Sequence, residues 1–161
     1  MITLAAFAAA LGGTATAASD PYVWGFHKDA QNHGYLGYAV DETDNEPVSL
    51  TCVPGSGLVQ VLVYLRDYRR PGAGDGPWPG RVELWAGAAR ADYAAQVSYD
   101  GEINDGFYAV LRARTADPVM TAFRVTGGLS GPTVGDFPAR TSPERGAIKA
   151  FFKHCEGRER P

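Results

Sequence analysis

Only 2 of the 161 residues are cysteine, Cys52 and Cys155. Two thiols cannot staple a core-poor chain, so a disulfide-dense scaffold is excluded. Long apolar runs are also missing. The longest, residues 2–11, is half of the roughly 20 residues that a membrane-crossing helix needs. Lys and Arg number 15 against 18 Asp and Glu, a net charge of −3. With no basic stripe, binding to nucleic acid has no electrostatic basis. No collagen period, no heptad pattern and no internal repeat of 20–50 residues is found. The chain is also too short for a multi-domain enzyme.

The usual catalytic signatures are absent as well. Gly55-Ser56-Gly57 has the wrong spacing for a nucleophile elbow and leads from a strand into a hairpin. No zinc-protease helix motif and no phosphate-binding glycine motif occurs. The histidines are His27, His33 and His154. His27 and His33, with Asp29 between them, fall one ligand short of a closed zinc site and read as solvated loop side chains. An EF-hand-type loop starting at Asp41 would need Gly at its sixth position and Glu at its twelfth, where Glu46 and Cys52 stand. Residues 41–46 therefore read as a polar connection. No catalytic residue, metal ligand or cofactor is assigned.

What is present begins with export. After the apolar run come Gly12-Gly13 and the small-residue tract Thr14-Ala15-Thr16-Ala17-Ala18. This is the layout of a secretory signal peptide, although no Lys or Arg precedes the run. Cleavage is expected after Ala17 or Ala18. The expected organisation is a signal peptide over 1–17 and a single β-rich domain over 18–161, periplasmic or secreted. That leaves roughly 144 residues, enough to bury about two-thirds of the unfolded surface. Residues 18–65 carry one cation, Lys28, against six acids: Asp20, Asp29, Asp41, Glu42, Asp44 and Glu46. The remainder carries slightly more cations than acids.

Glycine and proline are plentiful, 20 and 11 residues, above their usual joint share of about 12%. They punctuate short strands. Strands are expected at 22–26, 35–40, 48–53, 58–65, 81–85, 90–99, 107–113 and 123–126. Pro54-Gly55-Ser56-Gly57 makes a hairpin of 48–53 and 58–65. Residues 58–65 are apolar on both faces, which predicts a central strand covered on both sides. Asp117 is the expected N-cap of a short helical turn with Pro118 behind it. Residues 129–139 read as turns with one edge strand. A terminal helix opens at Ser142-Pro143-Glu144, with Ala147, Ile148, Phe151, Phe152 and Cys155 on one apolar face. The fold class is mainly β: a single antiparallel sandwich or small barrel of seven to nine strands, closed by a C-terminal helix.

Cys52 falls on the inward face of a strand and Cys155 on the apolar face of that helix. In an exported protein such thiols usually pair. Two inert buried thiols, or a Cys nucleophile beside His154, are the alternatives. The longest loop, about 67–80, carries Arg69 and Arg70 at its base and Trp78 near its tip. Trp and Arg dominate binding hot spots, and long loops carry function. These three residues are the candidate partner-binding set. The alternative is a Trp folded back over a sheet edge.

The segment Glu42-Thr43-Asp44 followed by Val48-Ser49-Leu50-Thr51-Cys52-Val53-Pro54-Gly55-Ser56-Gly57 resembles a family of small exported alphaproteobacterial proteins. Trp24, Asp117-Pro118 and Phe151-Phe152-Lys153-His154-Cys155 occupy matching places. The resemblance implies a Cys52–Cys155 pair and a single domain, and it brings no activity. A weaker likeness is to periplasmic lysozyme inhibitors of the small β-barrel type. Their inhibitory segment has a Ser-Gly-x-x-Tyr character, and Ser130-Gly131 lacks the Tyr. The expected function is a non-enzymatic exported cell-envelope β-domain, structural or binding an envelope protein. A lysozyme-inhibitor-like binder is one alternative. A hydrolase using acids of 41–46 with His27 or His33 is the other.

Overall fold

The computed structural model describes residues 22–40, 43, 45–74, 76–101 and 106–157. The expected signal segment lies outside the described residues. In chain order the elements are β1 (Tyr22–Lys28), β2 (Gly34–Val40), β3 (Val48–Cys52), β4 (Leu58–Leu65), β5 (Trp78–Ala86), β6 (Ala89–Asp100) and β7 (Gly106–Arg114). Then follow α1 (Pro118–Thr126), β8 (Gly128–Gly131), β9 (Gly135–Pro138) and α2 (Ser142–Glu156).

The nine strands form one antiparallel sheet in the order β1-β2-β3-β4-β7-β6-β5-β8-β9, curled into a half-barrel. The mainly β class with a C-terminal helix is borne out. Alternate residues point to the concave side. Val59, Val61 and Val63 of β4 are fully buried there, as are Val82 and Leu84 of β5 and Val97 of β6. The helices fill that side. α1 packs on β5 and β6, and α2 packs on β1 and β2. Phe123, Phe151 and Phe152 join the core, with Phe152 edge-on to both other rings.

The curl brings the outermost strands close together. β1 and β9 share no ladder, yet Trp24 Nε1 donates to Phe137 O at 3.1 Å. Tyr38 of β2 stacks edge-on to Phe137 at 5.6 Å, and Arg140 donates to Tyr22 O. Side chains therefore close the seam that hydrogen-bonded strands leave open.

Five expectations need correction. β4 is central but covered on one side only: Leu58 is 52% exposed, because both helices occupy the concave face. Residues 123–126 are helical. Val119, Met120 and Phe123 are the buried side of α1, while Val125 is 72% exposed, so the local β-branched character is overridden by helical burial. Gly127, at φ 76°, ends that helix. Asp117 stands at the N-cap but its side chain does not cap; it accepts from Arg114 N at 2.9 Å. Residues 128–138 form two short strands, β8 and β9, not one. At α2 the N-cap is Thr141, one residue earlier than expected, in a reciprocal capping box with Glu144.

Candidate functional site

The Cys52–Cys155 disulfide is formed, with a Cα–Cα distance of 5.7 Å, and no cysteine is free. A cysteine nucleophile is thereby removed. The 54–57 turn is fastened at the same place. Gly55 N donates to His154 O at 3.4 Å and Gly57 N to Cys155 O at 3.0 Å. These are carbonyls that a helix leaves without partners in its last turn. Across the ladder, Gly34 is paired with Cys52. A Cβ at Gly34 would stand 2.8 Å from His154 Cδ2 and 3.1 Å from Cys52 Sγ. The cysteine-and-turn segment that carries the family resemblance thus has a structural task, the anchoring of α2.

Trp78 is not at a loop tip. It opens β5, opposite Val97, and is half-buried. Its ring lies 6.1 Å from Phe107, which also meets Tyr68 and Tyr99 at 5.3 Å each. The loop folds over it: a Cβ on Gly76 would stand 2.9 Å from Trp78 Cε3, and one on Gly72 3.4 Å from Nε1. Arg69 and Arg70 are exposed, and the Arg70 guanidinium sits 4.8 Å above the Tyr99 ring. The three candidate residues share one region, with the arginines outside and the tryptophan beneath.

The acids and imidazoles separate into two places. His33 Nδ1 pairs with Asp29 Oδ2 at 2.9 Å. Asp29 Oδ1 accepts from Gln31 N at 2.9 Å and His33 N at 2.7 Å. This is a side-chain turn that closes the β1–β2 hairpin. Asp29 and His33 border a cleft of about 430 Å³ together with Ser56, Gln60 and Arg112. The Ser56 hydroxyl is engaged within its own turn, donating to Leu58 O and accepting from Leu58 N, both at 3.2 Å.

His27 lies elsewhere, stacked on Tyr35 with ring centroids 4.6 Å apart. Tyr35 OH donates to Glu46 Oε1. Burial, and then the Glu46 hydrogen bond, push the Tyr35 pKa up to about 12, so the phenol keeps its proton and remains a donor. These three residues border a second cleft, of about 270 Å³, with Gly25 and Gly37. The proposed hydrolase set therefore meets only in part: Glu46 comes near His27 through Tyr35, while His33 is tied to Asp29. Asp41, Glu42 and Asp44 lie outside the described residues. Among the described residues no group of three or more His, Cys, Asp or Glu is placed to hold a metal.

Sequence reasoning missed Tyr35, Gly25 and Gly37. The available signal was a glycine in the middle of each of two neighbouring strands, which marks a bulge or a close approach. Comparisons with protein-family models, with curated proteins and with solved structures find no match.

Proposed function

We propose that this protein is an exported, non-enzymatic domain of the cell envelope that binds a protein partner. The observation that carries the reading is the 66–77 loop. It presents Arg69 and Arg70 on a segment held from beneath by Trp78, Tyr99 and Phe107. A loop anchored in this way loses little conformational freedom on binding, and arginine is a preferred hot-spot residue. The disulfide fits an oxidising compartment. No helix among the described residues is long and apolar enough to cross a membrane.

Two measurements test the proposal. The mature N-terminus of the expressed protein should be residue 18 or 19, with the protein recovered outside the cytoplasm. An uncut chain recovered in the cytoplasm with two reactive thiols would overturn export. Trp78→Ala is a poor probe of binding, because its ring is part of the packed cluster. The arginines are better. A double variant, Arg69→Glu with Arg70→Glu, should stay folded, with a small drop in melting temperature from loss of the Arg70–Tyr99 contact, and should lose retention of an envelope partner at moderate salt. The same retention by variant and wild type would remove the loop from the interface.

A further inference from the structure

Gly25 of β1 faces Gly37 of β2 across the ladder, between the pairs Val23–Ala39 and His27–Tyr35. These positions point away from the packed side, since the intervening Trp24, Leu36 and Tyr38 are core residues. Glycine weakens a strand, so each needs a reason. Gly37 has one within the molecule: a Cβ there would stand 2.8 Å from Glu46 Oε2. Gly25 has none. Nothing lies within 4 Å of where its Cβ would stand, and its backbone is not left-handed.

The result is a small cleft in which the backbone of Gly25 is bare and Gly37 beside it is buried under the Glu46 carboxylate. The Tyr35 ring, with His27 stacked on it, forms one end, and Val23 with Ala39 forms the other. Glu46 reaches in from the β2–β3 connection. One of its oxygens takes the Tyr35 hydroxyl, and the other lies over Gly37. No cation among the described residues pairs with Glu46. In sequence, the stretch 18–65 that contains Glu46 carries six acids and a single cation.

We propose that this cleft receives the guanidinium of an arginine side chain from a partner protein. Flat surfaces and a single unneutralised carboxylate suit that group. The open backbone at Gly25 admits a planar cation beside the Glu46 carboxylate. Glu46 offers a charge-assisted acceptor, and the stacked His27–Tyr35 pair bounds the cleft beside it. A lysine ammonium is compact and strongly hydrated, and gains less from flat walls. The proposal rests on the protein-binding reading above but uses a different surface from the Arg69–Arg70 loop.

The test is a titration of the intact, disulfide-bonded protein with the peptide acetyl-Gly-Gly-Arg-Gly-Gly-amide, followed by amide chemical shifts. The citrulline peptide is its uncharged counterpart. Saturable shifts should centre on Gly25, Tyr35, Gly37 and Glu46 with arginine, and be at least tenfold weaker with citrulline. Glu46→Gln should weaken binding about tenfold. Gly25→Val should abolish it at an unchanged or higher melting temperature, because nothing lies within 4 Å of where the added Cβ would stand and its methyl groups project into the cleft. The protein with Arg69→Glu and Arg70→Glu should respond like wild type. Shifts elsewhere, an equal response to citrulline, or undiminished binding by the Gly25→Val protein would overturn the site. Loss of envelope-partner retention only in the arginine variants, with no arginine-peptide response in wild type, would overturn this site and leave the loop reading standing.

Discussion

Glu144 is an acid with only 4% of its surface exposed. Its Oε1 accepts from Trp24 N at 3.3 Å. Its Oε2 accepts from Arg140 N at 3.0 Å, and from Thr141 N and the Thr141 hydroxyl at 2.8 Å each. Burial works to raise its pKa, but these hydrogen bonds outweigh burial and hold it below the usual glutamate range. A group of this kind stabilises the fold fully above its unfolded pKa of about 4.3, and loses that contribution as pH falls through the lower folded value. Glu144→Gln should cost about 1–3 kcal/mol at pH 7. Urea midpoints measured from pH 7 down to pH 3 should converge for wild type and variant as the acid limb is reached. A gap that stays constant across that range would contradict the role of the carboxylate. Trp24→Phe removes the Nε1 bond to Phe137 O and leaves that buried carbonyl without its partner. A loss of about 1–2 kcal/mol is expected in denaturant unfolding.

At the scale of elements, two helices and one loop show how far local reading reaches. The apolar face and first-turn proline of α2 are local signals, and the helix lies where they place it, with only the cap moved to Thr141. Residues 123–126 mislead for the opposite reason. Phe-Arg-Val-Thr has strand-like character, yet α1 continues through it because Phe123 must reach the core beside Phe152. The glycine- and proline-rich 66–77 loop was legible as a loop but its purpose was not. β4 pairs with β7, so the chain must pass two strands to begin β5. Three strand spacings are roughly 14 Å, which a two-residue turn cannot span. The docking of α2 makes a prediction at this scale. Gly34→Ala places a methyl against His154 and the Cys52 sulfur, and should destabilise the protein by about 1–3 kcal/mol through overpacking. The loss should appear as faster hydrogen exchange in the last turn of α2 and in the 54–57 turn. Unchanged exchange there would disconnect Gly34 from helix anchoring.

For the whole molecule the long-range tie is the disulfide, which spans 103 residues of sequence. In the chain-entropy account, closing a loop of about 100 residues in the unfolded state is worth roughly 4.7 kcal/mol. Replacing both cysteines by serine should lower unfolding stability by about 2–5 kcal/mol, measured beside the reduced wild type, which should behave alike. A loss well under 1 kcal/mol would mean that the hydrogen bonds from Gly55 and Gly57 hold the helix unaided.

Local pattern alone marks seven strands, β1 to β7, and places the start of the terminal helix to within one residue. Those properties depend on residues within a few positions of one another. It also placed two cysteines on surfaces that had to be buried, and burial on a common core let them meet. Packing between distant parts of the chain set what remained. The curl of one sheet, not the stacking of two, brings Trp24 to Phe137, 113 positions away. Glu46, two residues before β3, lies over Gly37, and nothing lies within 4 Å of where a Cβ on Gly25 would stand. Alternation in a strand tells which residues face outward. Only strand order and curvature tell which outward-facing residues become neighbours, because those follow from packing the whole sheet around its two helices.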